Sequence, residues 1–293
     1  MVSYNPKEWF SQIIRLHSAD TVRKLTPTMI SLAGLTLLIV IIDKHAFHIG
    51  PEHQVVKISM MYSLLGFVIS LLLVFRTNTA YERWWEGRKL WGQLVNCSRN
   101  LCIKLDAIVD NGNEKDELFN LMIHFPYALK NHLRNVSSMN EKELMDLFQI
   151  AELKDKKHVP LHISGVLYRK IVDLNKEGKI NNEHMLMLNL EIQQYMEVCG
   201  ACERIRNTPI PFSYSTFLKK FIFIYVITLP IAYAPVLGYY SPAIVTFIFY
   251  VLASLEIIAE EIENPFGTDA NDLPLDEISK TIRSSIELVA KKA

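Results

Sequence analysis

Three stretches of the chain contain no Asp, Glu, Lys or Arg: Pro27 to Ile42, Ile58 to Phe75, and Phe221 to Leu255. Most of Arg76 to Lys220, by contrast, is rich in these residues. Eighteen helical residues rise about 27 Å, close to the roughly 30 Å of bilayer hydrocarbon, so Leu25 to Ile42 and Ile58 to Phe75 each suffice to cross. The third stretch has room for two crossings, Phe217 to Tyr239 and Pro242 to Ile258. They divide at GYYSP (238–242), where glycine and proline favour a tight connection. The pattern predicts four transmembrane helices, because a core helix of a soluble protein needs no charge-free run of this length.

The segment between the second and third spans has a different period. Apolar positions recur at helical spacing over 80–109, 116–136, 141–152, 165–175 and 182–205, separated by NGNEKD, SSMN, KDKKHVP and NKEGK as turns. No sheet pattern, internal repeat or low-complexity tract is present. The expected organisation is an amphipathic segment and two spans over 1–75, a cytoplasmic helical region over 76–216, two more spans over 217–258, and a cytoplasmic loop and helix over 259–293. Orientation follows from Lys7, Arg15, Arg23 and Lys24 before the first span and Arg76, Arg83, Arg88 and Lys89 after the second, against only Lys44 and Lys57 between them. Both termini and the middle region are therefore placed in the cytoplasm.

Composition adds exclusions. Among 293 residues, 31 Lys+Arg balance 31 Asp+Glu, and no basic tract suggests a nucleic acid partner. No glycine-rich phosphate loop, G-x-S-x-G or HExxH is found, so the sequence gives no sign of an enzyme. Cys199 and Cys202 have the spacing of half a zinc site, but a helix without a preceding strand favours a structural pair in a reducing cytosol. His45, His48 and His53 read as solvated loop residues. His158 and His162 stand i, i+4 but flank Pro160 and read as surface residues.

The second span has two kinds of face. Ser59, Ser63, Gly66 and Ser70 form a small-residue stripe suited to close helix approach. Beside it run Met60, Leu64, Phe67 and Leu71, with Val68 at the edge. This bulky stripe either faces lipid and neighbouring helices or lines a narrow pore that gates by dewetting, and periodicity alone favours the former. Without an intramembrane acid or base, any pore belongs on an oligomer axis. At the membrane exit, Arg76 leaves the hydrocarbon, Tyr81, Trp84 and Trp85 suit the headgroup zone, Arg88 is spaced to lie against Trp84 and Trp91, and Glu82 and Glu86 balance the charge.

FRTNTAYERWWEGRKLWGQL (75–94) resembles the signature after the second span of bacterial bestrophins. CERIRNTPIPFSYSTFLKKF (202–221) is similar to the segment leading those proteins into their third span, and IENPFGTDANDLPLD (262–276) resembles their acidic loop. The resemblance implies an all-α membrane protein: a homopentameric ion channel in the bacterial inner membrane, with an apolar neck of second spans and a cytoplasmic vestibule. The lipid bilayer and permeating monovalent ions are its other partners. It places the neck at Met60, Leu64 and either Phe67 or Val68. A second constriction falls at Ile180 or Met185.

Two further expectations rest on the acidic loop and the end of the fourth span. Asn264, Asp269 and Asp272 match positions of the loop that binds Ca²⁺ in eukaryotic bestrophins, and Glu261 stands where an amide is usual there, although a turn and helix cap is the preferred reading here. Glu256, Glu260 and Glu263 share one helical face and favour Na⁺ or K⁺ if they meet the path, whereas at least one is expected to pair with Arg76 or Arg83. A chloride channel of the same architecture, and a transporter or scaffold without a continuous pore, stand as alternatives.

Overall fold

The computed structural model describes residues 21–49, 59–135 and 158–290, which are helical throughout with no strand among them. Eight α-helices follow in order: α1 (Thr21–Ile42), α2 (Ser59–Ile108), α3 (Asn113–Leu133), α4 (Val159–Lys176), α5 (Asn182–Asn207), α6 (Phe212–Leu237), α7 (Ser241–Glu263) and α8 (Leu275–Ala290). The helix expected over 141–152, the amphipathic N-terminal segment and His53 lie outside the described residues.

The chain divides into two compact units. The first comprises residues up to Arg83, Pro209–Asn264 and Asp269–Asn271. It holds α1, the first part of α2, α6 and α7, and these helices are long and apolar enough to cross a membrane. Leu32, Ile69, Leu73, Leu218, Leu229 and Val245 belong to its buried cluster. At Gly66 a Cβ would lie 2.6 Å from the Tyr225 hydroxyl, so this member of the small-residue stripe admits a tyrosine of α6. The connection expected at GYYSP is a single 3₁₀ turn, Gly238–Tyr240, and Gly238 takes φ 51°, a conformation that glycine adopts without strain.

The second unit, Trp84–Thr208 with Pro265–Thr268 and the residues from Asp272 onward, packs the rest of α2 with α3, α4, α5 and α8. Trp91, Leu94, Leu101 and Leu105 recur on one side of α2 and are fully buried with Phe125, Tyr195 and Ile282. Local signals fix the helix ends. Glu114 and Asp116 open α3 while Lys130 and His132 close it, matching the helix dipole. The Asn181 side chain caps α5 by accepting the His184 N–H at 2.7 Å. The signature RWWEG also acquires a packing reason here. A Cβ on Gly87 would stand 3.1 Å from a ring carbon of buried Phe266, so the glycine makes room for the ENPF phenylalanine.

α2 joins two segments that the sequence pattern delimits separately. The membrane run ending at Phe75 and the helix expected from Ala80 are one uninterrupted helix of 50 residues. FRTNTA contains neither glycine nor proline, so nothing in it breaks the backbone ladder.

Candidate functional site

Two opposite faces of α2 define the site. Ile69, Leu73, Arg76 and Ala80 recur at steps of four, three and four and are 0–1% exposed. On the other side Leu64, Phe67, Val68, Leu71 and Phe75 are 43–68% exposed, although all are large and apolar. At 100° per residue, Leu64, Phe67, Leu71, Phe75, Asn78 and Glu82 fall within an arc of about 80°. Met60 lies in the first turn of the helix. The bulky stripe read from sequence therefore continues past Leu71 through Phe75 into the polar residues Asn78 and Glu82, all exposed. Periodicity could have extended it, but the arginine after Phe75 drew attention to the membrane boundary instead.

The buried face carries an ionic cluster. Arg76 is 1% exposed and donates from Nη2 to Glu263 Oε2 at 2.6 Å, while its Nε lies 3.7 Å from Glu256 Oε2. Glu263 is the hub. Its other carboxylate oxygen accepts the Ile210 N–H at 2.7 Å, and its main-chain carbonyl accepts from Arg83 Nε at 3.0 Å. One residue thus ties the membrane exit of α2 to the end of α7 and to the loop entering α6. Nearby, the Tyr214 hydroxyl donates to the Leu72 carbonyl at 3.0 Å. Glu260 pairs with Lys219 at 2.8 Å on the surface. All three glutamates of the expected vestibule set consequently face a cation within their own chain, and Glu256 and Glu263 are largely shielded from water.

The remaining signature residues divide by exposure. Tyr81 and Trp85 are about half exposed, Trp84 is intermediate, Arg88 is exposed and Trp91 is fully buried. Glu82 pairs with no lysine or arginine among the described residues. Ile180, one of two candidates for a second constriction, is 3% exposed within the core of the second unit, whereas Met185 is half-buried beside exposed Leu186 and Met187. Of the two candidates, only Met185 therefore offers part of its side chain at the surface of the second unit.

The acidic loop is tied into the fold through Glu261. Both Glu261 carboxylate oxygens are engaged, one by the Lys24 ammonium and the other by Asn271 Nδ2 at 2.7 Å. The ammonium already supplies the charge that a cation would bring to Glu261. Asn264 and Asp269 are exposed and Asp272 is buried in the second unit. Cys199 and Cys202 are free and buried, and burial pushes the Cys199 thiol up to about 12 and Cys202 higher still, as for inert structural thiols. The His158 side chain caps α4 by accepting the Leu161 N–H at 3.2 Å.

Comparison with known proteins follows the same outline. A family model described as Bacterial/Fungal Bestrophin protein matches residues 1–288. The chain is 36% identical over 242 residues to a voltage-dependent anion channel-forming protein of Nostoc sp., covering 79% of each. It is 32% identical over 294 residues to a protein of the same description from Synechocystis sp., covering 97% of this chain and 92% of that one. A mutated bacterial bestrophin homologue from Klebsiella pneumoniae, solved by crystallography, aligns with a TM-score of 0.82 at 27% identity over 92% of this chain and 99% of that one.

Proposed function

Because the chain belongs to the bacterial and fungal bestrophin family, whose members are ion channels rather than enzymes, we propose that five copies surround one axis and pass small monovalent ions between their second spans. The observation that carries this reading is the exposed apolar stripe of α2 opposite a buried face. A neck lined by Met60, Leu64, Phe67 or Val68, and Leu71 is narrow and water-repelling, so it limits flow without choosing a sign. A second constriction is assigned to Met185. The basic residues flanking the spans support a reading in which both termini and the second unit are on the cytoplasmic side of a bacterial inner membrane.

Selectivity then depends on charge beyond the neck. Glu256, Glu260 and Glu263 are matched by their own chain and contribute little to a field on the path. Glu82 is different: it is exposed, shares the side of α2 that carries Phe75, and five copies place five carboxylates past the apolar stretch. On this basis the channel conducts Na⁺ and K⁺. The names of the Nostoc and Synechocystis relatives favour the second reading, an anion channel.

Reversal potential decides between them. With purified protein in a planar bilayer under a tenfold KCl gradient, cation selectivity moves the reversal potential toward the potassium limit of about 59 mV. Chloride selectivity gives the opposite sign. Glu82→Gln is expected to bring the value toward zero, and an unchanged value removes Glu82 from the selectivity mechanism. Absence of current together with solute uptake by proteoliposomes would support a transporter instead.

A further inference from the structure

We infer that His132, His158 and Glu203 form a binding site for one divalent transition-metal ion of the zinc class. The three residues come from different elements of the second unit: His132 from the last turn of α3, His158 from the cap of α4, and Glu203 from the last turns of α5. Their ligand atoms all lie within 4.8 Å of one another. His132 Nε2 is 2.6 Å and His158 Nε2 is 2.9 Å from the same carboxylate oxygen, Glu203 Oε1. The imidazole rings stack with centroids 4.5 Å apart, so both nitrogens approach the carboxylate from one side.

The donor set selects the ion. Two imidazole nitrogens and a carboxylate suit zinc and its neighbours, whereas calcium and magnesium take oxygen ligands. Each side chain is 21–30% exposed, which leaves an entry path and room for water to complete a tetrahedron. Among the described residues, no lysine or arginine pairs with Glu203, so its charge is met only by the two rings. A zinc ion at about 2.0–2.2 Å from each ligand holds the ligand atoms about 3.4 Å apart. Relative to the 2.6 and 2.9 Å contacts, the imidazole nitrogens move from the carboxylate oxygen by about 0.8 and about 0.5 Å to admit it. Binding at His158 Nε2 needs the ring proton on Nδ1, so ligation exchanges the cap to Leu161 N–H for a metal bond. Arg206 Nη1 donates to the His132 carbonyl at 2.8 Å and holds that helix end in place.

Helical spacing alone brings His158 into view beside His162, and both read as surface residues, because spacing links neighbours along the chain only. Bound metal ties the start of α4 to the ends of α3 and α5. The test is zinc titration by calorimetry of the tag-free, full-length protein in mild detergent after treatment with a chelator. The inference expects one zinc per chain, with His132→Ala, His158→Ala and Glu203→Gln each weakening that site at least about tenfold, and His162→Ala leaving it unchanged. Zinc should raise the thermal midpoint of the unmodified protein and fail to do so for Glu203→Gln. No stoichiometric uptake by the unmodified protein, or uptake that persists in helical His132→Ala and Glu203→Gln variants, overturns the inference and leaves a hydrogen-bonded cluster.

Discussion

Replacing Arg76 with methionine is expected to destabilise the subunit by about 3–5 kcal/mol, because it leaves shielded carboxylates without their cation. Arg76 is 1% exposed, and the side chains of Glu256 and Glu263 are 7% and 14% exposed. Methionine fills much of the volume, so the loss reports charge more than packing. Unfolding in detergent, followed by circular dichroism or a thermal shift, measures it. Combining Arg76→Met with Glu256→Gln and Glu263→Gln should recover most of the loss, as expected when an isolated charge rather than a cavity is responsible. Lys219→Met provides the contrast. Its pair with Glu260 is about half exposed on both sides, and such pairs contribute about 0–1 kcal/mol. Equal losses for Arg76→Met and Lys219→Met would contradict the assignment of Arg76 as the buried anchor of the membrane exit.

The second large effect concerns flow. Leu71→Ala is expected to raise single-channel conductance several-fold, and Leu64→Ala to raise it as well, because each substitution widens a ring of apolar side chains where dewetting opposes ions. Both leucines are exposed in the subunit, at 45% and 60%, so truncation leaves no cavity in its core. Leu73→Ala, on the buried face, should instead lower stability by about 2–5 kcal/mol. An unchanged current in Leu71→Ala or Leu64→Ala would remove that residue from the narrowing.

The parts legible in the sequence were those that local spacing encodes. Charge-free length identified the spans, helical periodicity identified α3, α4 and α5, and the stripe through Leu64, Phe67 and Leu71 stood out at steps of three and four. Pairing across the fold was legible only as an expected ion pair of Arg76 or Arg83 with an α7 glutamate, its exact partners unspecified. Glu263 reaches Arg76 and Ile210, which are 187 and 53 positions away, and Glu261 reaches Lys24, 237 positions away. No periodicity announces such partners. The sequence points to Arg76 or Arg83 as partner for at least one glutamate of α7 without fixing which, and in the structure Glu256, Glu260 and Glu263 each have a cation beside them. Ile180 illustrates the same limit, since the resemblance offers it beside Met185 as a constriction while its side chain enters the core of its own unit. His132 and Glu203 carried no local signal, because their relation to His158 exists only after three helices have packed.

The central claim, that the Leu64 to Phe75 stripe of α2 faces a water-filled axis, is tested most directly by cysteine accessibility in recorded channels. Single cysteines at Phe67, Leu71 and, for comparison, Ile224 on the exposed side of α6 would be treated with a charged methanethiosulfonate. Background from the native thiols should be low. Cys97, Cys102, Cys199 and Cys202 are buried, and burial holds the first three at about 12, 11 and 12, so thiolate is scarce. The account predicts that the reagent blocks current through Phe67→Cys and Leu71→Cys channels and leaves Ile224→Cys unaffected. Current that ignores the reagent at both α2 positions while Ile224→Cys is blocked would place the stripe in lipid and contradict the account.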